Sequence, residues 1–153
     1  MTTLFDPAQR RILVDRLGKL TPETKPAWGK LTARNLLPHL SDPIRSAFGE
    51  YDFQLSDQRF YKTKFGRWLL IYGIKKWPKS PPTAPQFDSE KNGRKGSDFE
   101  KDRAELFELI ERFGQTPSSV KFKPHAVFGD ISHKSWGHLM HKHIEHHCKQ
   151  FGL

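Results

Sequence analysis

Wherever apolar residues recur in this sequence, they do so at intervals of three and four, the spacing that stacks side chains along one face of an α-helix. Five segments carry the pattern, and none competes with the period of two that a strand requires. The first opens at Asp6, a helix cap followed by Pro7, and runs through Ile12, Leu13, Leu17 and Leu20, which predicts a helix over about residues 7–20. After the connection TPETKPAWGK, Thr32 caps a second helix lined by Leu36, Leu37, Leu40, Ile44, Ala47 and Phe48. Pro38 and Pro43 lie inside it. Each removes a backbone donor at a cost of about 3 kcal/mol, so a kink or interruption is expected there. Tyr61, Phe65, Trp68 and Tyr72 predict a third helix over about residues 58–76, aromatics inward and cations outward. Ser97 and Glu100 form the capping box of a fourth, with Leu106, Phe107, Ile110 and Phe113 on its apolar face, and Ser132 caps a last helix over about residues 133–151. The crossings KSPPTAPQFDSEKNGRKG and PSSVKFKPHAVFGDI have no apolar period. The pattern as a whole predicts an all-α helix bundle, a single domain over residues 1–153.

A chain of 153 residues can bury a core without a disulfide or a structural metal, and the lone Cys148 permits no internal disulfide. The opening MTTLFDPAQRRILVDRLGKL has neither the basic start nor the apolar run of a secretory signal. The longest apolar stretch, residues 68–74, falls far short of the roughly 20 residues that span a bilayer. A soluble, cytoplasmic protein with no membrane partner is expected. The excess of 26 Lys+Arg over 17 Asp+Glu gives a formal charge of +9, which raises the question of an anionic partner. Residues 59–79 hold Arg59, Lys62, Lys64, Arg67, Lys75, Lys76 and Lys79 among aromatics, with no acid. Nucleic acid could be gripped by such a mixture. Helical sorting assigns Tyr61, Phe65, Trp68 and Tyr72 to the core instead, which makes nucleic acid the less favoured partner.

The chain closes on HKHIEHHCKQFGL, and its histidines are interleaved with other residues rather than joined in a run. Trp136, Met140, His143 and His147 step by four, three and four, so both imidazoles continue an apolar stripe toward the bundle interior. Four residues is the spacing that lets two histidines of one helix meet one metal ion. The zinc-protease motif is excluded, because Glu145 follows His143 by two positions and points well away from the pair. Further ligands must come from elsewhere, and the candidates are His39, His125 and His133. His39 is preferred because it lies among leucines on the second helix, with Asp42 one turn on. The competing reading is that all of these are core histidines, each satisfied by a hydrogen bond.

A C-terminal H-x-x-x-H followed by glutamine three residues later, here His143, His147 and Gln150, resembles the DinB/YfiT-like superfamily. WGKLTARNLLPHLSD, PKSPPTAP and HAVFGDISHKSWGHLMHKHIEHHCKQFG together are similar to an uncharacterised bacterial branch of it, in order over most of the chain. The resemblance implies an up-down-down-up four-helix bundle with a long crossover. It further implies a divalent ion, zinc or nickel, held by His39, His143 and His147, and a pocket role for His125. Pro38 and Pro43 stand where the family more usually has helix formers, and Ala126 stands where it has proline.

Three imidazoles on one side of such an ion leave positions open for water or substrate. Hydrolysis of an ester or amide, or activation of a thiol, are the chemistries this permits. Relatives that act on low-molecular-weight thiols tilt the choice toward thiol transfer, with a small-molecule substrate. Asp42 is the candidate proton-handling group. The resemblance also raises a homodimer, and the alternative to an enzyme is a noncatalytic metal-binding or dimerisation module.

Overall fold

A computed structural model describes residues 2–51, 59–74, 77, 79 and 93–153. Four long helices organise them: α1 (Pro7–Leu17), α2 (Ala33–Phe48), α5 (Phe99–Gly114) and α6 (His133–Gln150). Between α2 and α5 lie two short helices, α3 (Arg59–Lys62) and α4 (Lys64–Trp68), and a π-helical turn over Leu69–Gly73. No strand occurs among the described residues, only one isolated bridge between His125 and Gly129.

Local chemistry sets most helix starts. Asp6 accepts from the N–H groups of Ala8 and Gln9, Thr32 from that of Asn35, and Ser132 from that of Ser135, as the cap signals predict. The start of α5 is displaced by one residue: Asp98, not Ser97, is the cap, and its carboxylate accepts from Lys101 N–H. The Ser97 N–H instead donates to Asp102 Oδ2 at 2.9 Å. α1 ends at Leu17, and Leu20 reaches the core from the loop beyond, whereas Ile12 is exposed.

The expected interruption of α2 does not occur. The helix runs without a break through Pro38 and Pro43, both of them buried. Burial of Leu36, Leu37, Leu40 and Ile44, each worth about 1.5–3 kcal/mol, offsets the roughly 3 kcal/mol that each proline costs. Pro38 has no N–H to offer the Arg34 carbonyl, and the chain at Gly96 closes over that carbonyl. A Cβ added to Gly96 would stand 2.2 Å from the Arg34 oxygen.

Contacts between helices fix their directions. Leu4 N–H bonds Gly137 O near one end of α1, and Arg16 pairs with Glu145 near the other, so α1 and α6 run parallel. Arg10 reaches Glu111 and the Gly114 carbonyl, while Arg103 reaches the Leu20 carbonyl, so α5 opposes α1. Asn35 bonds Gly96, and Glu50 pairs with Arg112, so α2 runs with α5. The order is up-down-down-up. The parallel pair α2 and α5 requires the long crossover, and the core of Leu13, Leu36, Leu106, Ile110, Phe113 and Trp136 fills the space between the four helices.

The crossover departs most from expectation. A single helix over residues 58–76 is replaced by α3, α4 and the π turn; positions 58, 75 and 76 lie outside the described residues. Thr63 has extended backbone angles and caps a new helix by accepting from Gly66 N–H. That restart shifts the helical register, so the aromatic stripe does not face inward. Tyr61 and Tyr72 pack against the core, but Phe65 is 62% and Trp68 56% exposed. Most of KSPPTAPQFDSEKNGRKG also lies outside the described residues. Among described residues, no helix is long and apolar enough to cross a membrane.

Candidate metal centre

α2 and α6 run antiparallel, and His39 on the first meets His143 and His147 on the second. His39 Nε2 lies 3.1 Å from His143 Nε2 and 3.0 Å from His147 Nε2, and the last two are 3.2 Å apart. Nitrogens bound to one zinc ion at about 2.0–2.1 Å, with angles near 90–110°, stand about 2.8–3.4 Å apart. The donor set therefore fits one divalent ion. Among the described residues these are the three that come together as a ligand group.

Hydrogen bonding among the rings does not account for the triangle. A neutral imidazole carries one donor and one acceptor, so three mutually close nitrogens cannot satisfy one another. At His147 the tautomer is fixed from outside. The Trp28 carbonyl can only accept, and Gln150 Nε2 donates to it at 2.8 Å. Gln150 Oε1 must then face His147 Nδ1, which donates to it across 2.7 Å. The Nε2 of His147 is left as a lone pair aimed at the other two rings.

The electrostatics agree. Burial, and then the neighbouring imidazoles, hold His143 and His147 well below the usual histidine pKa, so both rings are neutral at neutral pH. Neutral imidazole is the form that binds a metal. His39 and His147 are buried, and His143 is half-buried beside an aromatic flank. There the Trp77 ring lies 6.0 Å from the His143 ring and 5.9 Å from His146, and Trp28 lies 6.1 Å from His146. Lys142 donates to the carbonyls of Leu70, Ile71 and Ile74, which ties α6 to the end of the π turn.

The other histidines named from the sequence do different work. His133 donates to the Thr116 carbonyl at 3.1 Å and stacks between Phe5 and Phe122, away from the triangle. His125 is held by the N–H groups of Val127 and Phe128, which both donate to Nδ1, at 3.1 and 3.3 Å. Its ring packs on Phe128 and Trp136, and burial pushes its pKa down to about 3. It is a neutral residue beside the site, felt electrostatically by His143. Asp42 is buried on α2, and its Oδ1 receives Arg94 Nε at 3.1 Å and Arg94 Nη2 at 3.0 Å. Burial raises its pKa, opposed by Arg94. The Cys148 thiol is pushed up to about 12 by burial, which removes it as a nucleophile.

Sequence reading missed Arg94, Trp77 and the function of Gln150. Gln150 was the legible one: three residues after His147 it shares that residue's helix face. Arg94 and Trp77 come from or border an aperiodic crossing, where spacing carries no signal.

The profile of a family described as "Protein of unknown function (DUF1569)" matches residues 14–152. No curated protein and no solved structure compared with the chain matches it significantly.

Proposed function

The chain belongs to the DUF1569 family, and from that premise we propose that it is a metal-dependent enzyme of the DinB/YfiT-like superfamily, acting in thiol transfer or hydrolysis on a small molecule. The observation that carries the reading is the triangle of Nε2 atoms at 3.0–3.2 Å, with the His147 lone pair set by Gln150. The superfamily relation draws support from the up-down-down-up order and from donors that come singly from α2 and as a pair from α6.

A divalent ion such as zinc or nickel, when bound, supplies Lewis acidity that makes a thiol or a water nucleophilic near neutral pH. The protein's own residues do the rest. His39, His143 and His147 would hold the ion, and Gln150 keeps His147 in the binding tautomer. Asp42, one turn from His39, with its pKa raised by burial against the pull of Arg94, takes up or returns a proton, and Arg94 holds it in place. His125 stays uncharged and orients substrate as a hydrogen-bonding wall.

Elemental analysis of the protein as purified, beside His143→Ala, tests the reading. One divalent ion per chain is expected, lost in the variant while helical circular dichroism is unchanged. A preparation without metal after reconstitution, or a variant that keeps its ion, rejects it.

A further inference from the structure

Two tryptophans that the metal ligands do not require lie against α6 at His143 and His146. Trp77 comes from the crossover and lies against His143 and His146. Trp28 comes from the loop before α2 and meets His146 at 70°. Each is tied to the framework of the site. The Trp28 carbonyl accepts from Gln150, the same side chain that orients His147, and Trp77 Nε1–H donates to the Leu70 carbonyl at 3.4 Å. Neither ring is fully buried. Two partly exposed indoles thus meet His146, the residue before the ligand His147, and offer flat apolar surface beside the ligands.

Each ring carries a cation. Lys79 Nζ lies over the Trp28 ring at 5.5 Å, and Lys142 Nζ lies over the Trp77 ring at 5.4 Å. Their situations differ. Lys142 is committed to three backbone carbonyls. Lys79 is exposed, and a cation over an exposed ring face gains only about 0.5–1 kcal/mol. That is little enough for an arriving anion to outbid, since a charge-assisted hydrogen bond is worth about 1.5–3 kcal/mol.

We propose that Trp28, Trp77 and Lys79 form a substrate subsite for an anion with a flat apolar body: the body lies along the indoles, its reacting end reaches the histidine triangle, and its carboxylate or like group meets Lys79. The inference rests on the metal-site reading and adds to it the class of substrate.

The test uses protein loaded with cobalt(II), whose visible spectrum reports both the ion and a thiol that joins it. Two probes of matched shape are titrated: 4-mercaptobenzoate, and 4-mercaptobenzamide as its uncharged counterpart. Wild-type protein is expected to bind the carboxylate about tenfold more tightly. Lys79→Gln removes that preference without changing cobalt stoichiometry, and Trp28→Leu weakens both probes. Protein that takes up no cobalt overturns the metal-site reading and this inference together. Cobalt-loaded protein that binds both probes equally, or neither, or that keeps its preference in Lys79→Gln, overturns the subsite and leaves the metal site standing.

Discussion

Gln150 shows how one side chain sets the chemistry of another. It is 5% exposed, and its amide spans the Trp28 carbonyl and the His147 ring. Gln150→Leu keeps the volume and removes both bonds, which frees His147 to place its proton on Nε2. Metal affinity is expected to fall about 10–100-fold, the range found when partners of metal-binding histidines are removed. Competition against a zinc chelator measures it, and an affinity equal to wild type would mean that the ring is oriented by packing alone. At this scale the sequence was informative where spacing alone decides. His143 and His147 share a face at four residues' separation, and His39 stands among leucines, so their meeting could be anticipated. The exclusion of His133 could not, because its partners, Phe5, Phe122 and the Thr116 carbonyl, come from three distant parts of the chain.

Among elements, legibility follows the range of the interactions that define them. Asp6, Thr32 and Ser132 cap their helices through bonds spanning two or three residues, and all three were readable. Ser97 and Asp98 both suit a cap, and the choice fell to Asp98 because Asp102 takes the Ser97 N–H. The crossover was misread because a regular rhythm of aromatics does not reveal that Thr63 restarts the helix. The continuity of α2 depends on tertiary burial, and its prolines leave a trace in how the segment around Gly96 packs. That residue meets the Arg34 carbonyl so closely that an alanine side chain has nowhere to rotate. Gly96→Ala is expected to cost about 1–3 kcal/mol and to disturb the Arg94 contact with Asp42. A urea midpoint unchanged from wild type would show that the segment does not seat on α2 as described.

For the molecule as a whole, the buried imidazoles make stability depend on pH. His125, His143 and His147 all have folded pKa values below the unfolded value near 6.5. Above that value neither state of these groups binds a proton, and they leave stability untouched. As pH falls below it, the unfolded chain takes up protons that the folded chain refuses, so stability declines, by up to about 1.4 kcal/mol per group and pH unit. For His125 the window extends down to about pH 3. Chelator-treated protein is therefore expected to unfold in less urea at pH 5 than at pH 7. His125→Asn, whose side-chain oxygen can still accept from Val127 and Phe128, should flatten that profile; an unaltered slope would mean that the ring already takes its proton in the folded state.

The donors that converge on the centre lie 104 and 108 residues apart along the chain. A cation seated between them would act as a removable staple that closes a loop of that length, so chelation there would be a property of the finished tertiary structure and not of any stretch of it. During synthesis, α2 emerges long before α6 exists to meet it. Any metal loading at this site would therefore wait for α6 to leave the ribosome, and a fragment truncated before α6 would lack two of the three ligands.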